Sequence, residues 1–312
     1  GSKKLFEEYQ PDLINYLYSE TENGEINKEQ KKIISKIKKS ISNRLKRKIC
    51  ITVLSKLKND ISGELAQAIN NLYIKTELIN YSKSKLKNKK WYVIASGIKE
   101  LNLFEITNEI ENVRSHENHK NLEVRNEVQL YLVSLFQFKG LDFLNGLETQ
   151  ISEWNQIQLL EILQKNNTQE IPDITPWLKS NNDSVVLFSL KLAKIYNQFQ
   201  VIKTLLDLLQ HKNLNIRIKA IELLTYFQAN EAKQLLKSDF SERTEEEQIA
   251  FFKMLENIVE KNDEDFIVEN TKNPIFEIKS RAISYLQKIN NEKLQWVKDT
   301  STNTEDQLIF NY

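Results

Sequence analysis

The sequence predicts an all-α protein whose body is a right-handed α-solenoid of stacked helix pairs, preceded by a basic helical N-terminal extension. Three observations carry this. Gly and Pro number only 6 and 4 in 312 residues, about a quarter of ordinary usage. So few turn residues cannot build the tight turns of a β-sandwich, a barrel or a meander, nor a glycine-rich phosphate loop. Apolar residues also recur at helical offsets from a polar start, and that pattern returns at intervals of 29–33 residues.

The chain begins Gly1-Ser2, the pattern left by tag cleavage, and its sole methionine is Met254. A native start is expected upstream, and two readings of the lost segment stand side by side: a membrane anchor or signal, or the trimmed end of a soluble cytoplasmic protein. One or two basic helices are expected near 4–19 and 27–58. Residues 28–58 hold twelve Lys/Arg, ten of them Lys. Ile34, Ile37, Ile41, Leu45 and Ile49 trace an apolar stripe. At about 100° per residue, Lys28, Lys32, Lys36, Lys39, Lys46 and Arg47 fall on the opposite side. That face is the candidate for an anionic surface. Anionic lipid, a nucleic-acid backbone and an acidic protein compete as its partner. A capping helix with a solvated lysine face accounts for the pattern equally well. The Ile-rich stripe suits helix packing better than lipid insertion. No aromatic stands between Tyr18 and Tyr73, so a nucleic-acid reading rests on charge alone.

The repeats follow. Asn121-Leu-Glu-Val-Arg125, Asn182-Asp-Ser-Val-Val186, Asn213-Leu-Asn-Ile-Arg217 and Asn273-Pro-Ile-Phe-Glu277 can be laid over one another. Three positions after each Asn stand Val124, Val185, Ile216 and Phe276. Seven positions after it stand Val128, Ser189, Ala220 and Ser280, and ten after it Tyr131, Leu192, Leu223 and Ile283. Offsets of 3, 7 and 10 lie on one helical face. Weaker copies start at Asn88, Ser152 and Thr244, giving starts at 88, 121, 152, 182, 213, 244 and 273. Shorter apolar stretches lie between them: 103–116, 140–151, 171–179, 200–211, 229–239 and 263–271. Each unit is therefore expected to be an antiparallel helix pair, which must stack on its neighbours to bury its apolar face. The expected organisation is a basic helical region over 1–87 packing on the solenoid, a solenoid of about seven units over 88–298, and a C-terminal tail over 299–312.

The run Val124-Arg125-Asn-Glu-Val128, matched by Ile216-Arg217-Ile-Lys-Ala220, resembles the second helix of HEAT repeats in their short bacterial form of about 30 residues. The resemblance covers about 88–290. It implies a solenoid that binds other molecules, without naming the ligand. The family's Asp–Arg ladder is not matched: His119 and His211 stand where the Asp would be, and Val186 and Glu277 replace the Arg in two copies.

Chemistry-bearing residues are few. His116 and His119 are three apart in a polar turn, not the four of a zinc-protease helix, and His211 holds the equivalent turn before Asn213. Glu245-Glu246-Glu247 and Asp263-Glu264-Asp265 are expected to open helices, where carboxylates offset the dipole. Trp91, Trp154, Trp177 and Trp296 are expected in the core. Cys50 has basic neighbours that would depress its pKa. No Ser/His/Asp set, Walker loop or dinucleotide fingerprint is present, so the expectation is no catalytic residue, no metal and no cofactor.

Net charge is +1, but residues 1–100 carry 21 Lys/Arg against 11 Asp/Glu, and the remainder 23 against 32. The expected function is a non-catalytic scaffold that binds another protein along the concave surface of the solenoid. The alternative is a nucleic-acid-binding protein, or an enzyme of the HEAT-like DNA glycosylase type, acting through the basic end. The acidic solenoid argues against that alternative. Membrane-tethered bacterial HEAT-like proteins have a comparable arrangement. The expected location is therefore cytoplasmic, with a second reading at the cytoplasmic face of a membrane.

Overall fold

A computed structural model describes residues 2–21, 23–165, 168–301 and 304–310. Among these every regular element is a helix. The chain divides into two compact units, 1–170 and 171–312. The expected boundary at 87/88 lies inside the first.

Unit 1 opens with α1 (Ser2–Tyr18), α2 (Lys28–Ser40) and α3 (Arg44–Asp60). The 27–58 stretch is thus two helices. Ile41 ends α2 and the Asn43 side chain accepts the Leu45 and Lys46 N–H groups to start α3, a strong N-cap interaction. α4 (Gly63–Lys75), α5 (Leu78–Lys85) and α6 (Trp91–Leu103) follow. α5 packs closely on α6, because a Cβ at Gly97 would lie 2.8 Å from Leu86 and Lys85. α7 (Ile110–Arg114), α8 (Leu122–Phe136), a 3-10 segment (Gln137–Gly146) and α9 (Glu153–Lys165) complete the unit. α8 packs against both α6 and α9.

Unit 2 holds α10 (Thr175–Leu178), α11 (Asp183–Ile195), α12 (Ile202–Leu208), α13 (Leu214–Tyr226) and α14 (Glu231–Ser238). It ends with α15 (Glu245–Ile258), α16 (Glu264–Asn270), α17 (Phe276–Ile289), α18 (Asn291–Thr300) and α19 (Thr304–Phe310). α13 packs on α11 and α15, and α15 on α17. Phe240, Phe251, Phe252 and Phe266 cluster inside this unit, with Tyr285 stacked on Phe252.

The long helices α6, α8, α9, α11, α13, α15 and α17 follow the residues 90, 121, 152, 182, 213, 244 and 275. Successive starts are 31, 31, 30, 31, 31 and 31 residues apart. Asn121, Asn182 and Asn213 each accept the N–H two residues on, and Thr244 forms a capping box with Glu247. The last register corrects the sequence reading. Asn273 caps Ile275, and the helix begins only at Phe276, beyond Pro274. Phe276 is therefore 67% exposed and Ser280 only half-buried, while Ile278, Ala282 and Tyr285 take the core positions. Elsewhere the expected core holds: Val124, Val128, Val185, Ser189, Ile216 and Ala220 are fully buried.

The shorter elements depart further from expectation. The stretch 140–151 is 3-10 through Gly146 rather than α-helix. Gly140 lies against the α8 backbone, where a Cβ would meet the Leu132 oxygen at 2.1 Å. Only Thr175–Leu178 is helical within 171–179. Pro172 and Pro176 leave no room for a longer helix, Pro176 being tolerated in the first turn.

Three of the long helices end on a left-handed residue that is not glycine: Glu105, Asn197 and Gln228, at φ 56°, 49° and 51°. The next N–H in each case reaches back five residues, Ile106 to Leu101, Gln198 to Ala193 and Ala229 to Leu224, closing a Schellman motif. That is how so glycine-poor a chain turns, at a steric cost in each αL residue. Gln228→Gly is expected to stabilise unit 2 by about 0.5–1 kcal/mol. An unchanged or lowered urea midpoint would count against that account.

Candidate functional site

Unit 1 carries a groove of about 1040 Å³ whose walls come from α3, α4, α6, α8 and α9. Its long wall is built by equivalent positions. Ser96, Glu127 and Gln158 line it, each six residues after the start of its helix, and Lys99 and Leu130 follow nine residues after theirs. Because α8 packs against both α6 and α9, a repeat of 31 residues delivers one side-chain row to one surface. The facing wall is α3 and the start of α4, joined at Gly63, whose φ of +65° requires glycine-like freedom.

The polar groups in the groove divide into tied and untied. Lys58 is largely buried and donates to Asn70 at 2.8 Å and Glu105 at 2.7 Å. The bond from Lys58, with another from Asn70, holds the Glu105 carboxyl below its usual range despite partial burial. Glu100 accepts from Lys85 at 2.5 Å and from Ser82 at 2.6 Å, and Ser82 in turn accepts from the buried Tyr73 hydroxyl. Glu127 is different. It is half-buried and makes no hydrogen bond or ion pair among the described residues. Burial raises its pKa, with nearby Lys99 opposing and Glu123 adding to the rise.

The six basic residues expected on one helix face are divided between two helices. Lys28, Lys32, Lys36 and Lys39 are exposed on α2, with Lys36 paired to Asp12 at 2.6 Å. Lys46 and Arg47 belong to α3. Arg47 lies 3.8 Å over the Tyr81 ring and donates to the Ile41 carbonyl. Leu45, expected in the apolar stripe, is half exposed. The break at 41–43 places the second half of the pattern on a separate helix.

The remaining candidates resolve as follows. Arg125 and Arg217 each donate to the carbonyl six residues upstream, that of His119 or His211, at 2.8 Å. Each of these histidines accepts the N–H of the following Asn through Nδ1. The same turn is thus built twice from His, Asn and Arg. Arg217 also pairs with Glu247 at 2.8 Å, and Arg243 joins the same carboxylate at 2.9 Å. Glu247 and Asp263 do more than open helices: both are buried, and Asp263 is clasped by Lys233 and Lys237. Trp177 is buried, but Trp91, Trp154 and Trp296 are 44–67% exposed, against expectation. Trp91 and Trp154 are the first and second residues of α6 and α9, ahead of the buried Ile94 and Asn155. Cys50 is buried, and burial pushes its thiol up to about 12 despite Tyr9 and Lys46, the reverse of the activation expected from its neighbours. No group of three metal-ligating side chains forms among the described residues.

No family model matches the chain, and no curated protein matches it. Among solved structures, human deoxyhypusine hydroxylase in complex with glycerol is similar over 94% of this chain and 99% of that one, at 13% identity and a TM-score of 0.33. At that level the likeness carries no fold or functional argument.

Proposed function

We propose that the chain is a non-catalytic protein-interaction scaffold: a right-handed α-solenoid of short HEAT-like repeats with a basic helical N-terminal extension. In this reading the groove of unit 1 is a concave docking surface for a partner polypeptide. The observation that supports it is the row of equivalent positions, Ser96, Glu127 and Gln158, along one wall. Repeat proteins generate extended binding surfaces in this way. Glu127 and Lys99 are the groups on that wall with charge to offer a partner. A photo-crosslinking residue at Gln158 is expected to trap one defined protein in the host cell, and a crosslinker at exposed Glu231 on α14 to trap none. Glu127→Lys with Lys99→Glu should abolish the adduct. Equal labelling from both positions, or an adduct indifferent to the charge swap, would overturn the reading.

The proposed location is cytoplasmic, at the inner face of a membrane. No helix among the described residues is long and apolar enough to cross one. The support is the exposed lysine row of α2, of which Lys28, Lys32 and Lys39 have no ion pair among the described residues. Anionic headgroups attract such rows at about 1 kcal/mol per Lys.

A further inference from the structure

The basic residues of α3 gather where the sequence does not show. Arg44, Lys48, Thr52 and Lys56 are spaced by four, which places them along one side of the helix over about 18 Å. That side is the floor shared by two further cavities of unit 1. One, of about 410 Å³, is closed by Tyr81, Lys85 and Tyr92 from α5 and α6. The other, of about 650 Å³, is closed by Lys3 and Phe6 from α1. Lys48 and Thr52 line both.

The charge of this trough is nearly all of one sign. The carboxylate among its lining residues is Glu100, already tied to Lys85 and Ser82. The Arg44 and Lys48 side chains are exposed and make no hydrogen bond or ion pair among the described residues, and Lys56 lies over the Phe6 ring at 5.3 Å. Uncompensated cations along a concave floor focus potential and concentrate anions. The rim adds flat rings. Tyr92 is 52% exposed, and Trp91 stands edge-on to it at 5.8 Å. An exposed ring is not explained by core packing, and charge attraction alone does not use it.

We propose that this trough binds single-stranded nucleic acid, its phosphates on Arg44, Lys48 and Lys56 and a base stacked on Tyr92. A cationic groove bordered by stacking surfaces is the physical requirement for such a ligand. A duplex keeps its base faces stacked inside and offers none to Tyr92. An acidic polypeptide or an anionic bilayer answers the charge but brings no flat ring to stack on Tyr92, whose neighbours are Trp91 edge-on and the Lys90 ammonium at 5.8 Å. The site lies beside the groove proposed for a protein partner and does not depend on that proposal.

The test is fluorescence anisotropy of the full chain with a labelled 12-nucleotide mixed-sequence strand, as RNA and as DNA. Binding at 50 mM salt is expected to weaken about 20-fold at 200 mM, the dependence for three phosphates neutralised on a single strand. Arg44→Glu with Lys48→Glu should weaken binding more than tenfold and flatten that dependence. Tyr92→Ala should weaken it fivefold or more while leaving the salt dependence unchanged. Lys261→Glu with Lys272→Glu, both exposed in unit 2, should have no effect. Circular dichroism checks that each variant keeps its helix. No binding at 50 mM salt would overturn the proposal, as would oligonucleotide binding indifferent to the α3 reversal. A Tyr92→Ala variant that binds like wild type, with polyglutamate or phosphatidylserine vesicles competing as well as the strand, would also overturn it.

Discussion

Asparagine at position 263 is expected to cost unit 2 about 3 kcal/mol, the price of breaking a buried ion pair from one side. Asp263 has no exposed side-chain surface, and it accepts from Lys233 at 3.1 Å, from Lys237, and from the Glu260 N–H at 2.8 Å. Lys233 is itself almost fully buried and keeps only Glu260 and the Ile258 carbonyl once the charge is gone. Burial alone would raise the carboxyl pKa. Hydrogen bonds from Lys237, the Glu260 N–H and Lys233 outweigh it and hold the group below its ordinary range. The sign of the pH dependence follows. The stabilisation is complete above the unfolded value, near 3.9, and is lost as pH falls through the lower folded value. The difference between wild type and Asp263→Asn should therefore be full at pH 7 and shrink below about pH 4. Urea unfolding read by hydrogen exchange in α14, α16 and α17 measures it within unit 2. A difference that stays constant down to pH 2 would refute the assignment.

What was legible in the sequence was whatever lies within one helix. The offsets 3, 7 and 10 are set by helical geometry alone, so Val185, Ser189 and Leu192, or Ile216, Ala220 and Leu223, could be placed in the core unaided. The error at 273 came from taking the Asn for the start when Pro274 delays the helix by two residues. With the start moved to 275, the last interval becomes 31 like its neighbours. What was not legible depends on partners about 30 residues away. Glu247 and Asp263 read as helix-opening acids because Arg217 and Lys233 stand a full repeat upstream. The absent Asp–Arg ladder has a counterpart in this Arg217–Glu247 pair, which no local pattern announces. At the equivalent place in unit 1, Asn155 replaces Glu247, and Arg125 Nε and Asn155 Oδ1 are both buried without a hydrogen bond. The basic region was misread for a related reason. Asn43 caps a second helix inside the stretch, and the aromatics missing from 19–72 arrive from α1, α5 and α6 in space.

Arginine at position 220 is expected to be the more damaging change, costing unit 2 at least about 4 kcal/mol. Ala220 is fully buried at the middle of α13, which packs on α11, α12 and α15. The same repeat position is Ser189 in α11, Phe251 in α15 and Ala282 in α17, all fully buried. Position 220 is six residues, some two turns, from either end of α13 and has no exposed surface, so a guanidinium there starts inside the core. Glu247, the buried carboxylate at the head of neighbouring α15, already serves Arg217 and Arg243. Ala220→Ser supplies the control. Ser189 satisfies its hydroxyl on the Val185 carbonyl at 2.7 Å, four residues back, and serine at 220 finds the Ile216 carbonyl at the same spacing. That variant should lose less than about 1 kcal/mol. Thermal unfolding by circular dichroism, with hydrogen exchange to separate the two units, distinguishes the cases. Loss of protection confined to unit 2 for the arginine variant, with near-native protection for the serine one, is the expected pattern. An arginine variant as stable as the serine variant would mean that position 220 faces solvent and that the repeat register of α13 is wrong.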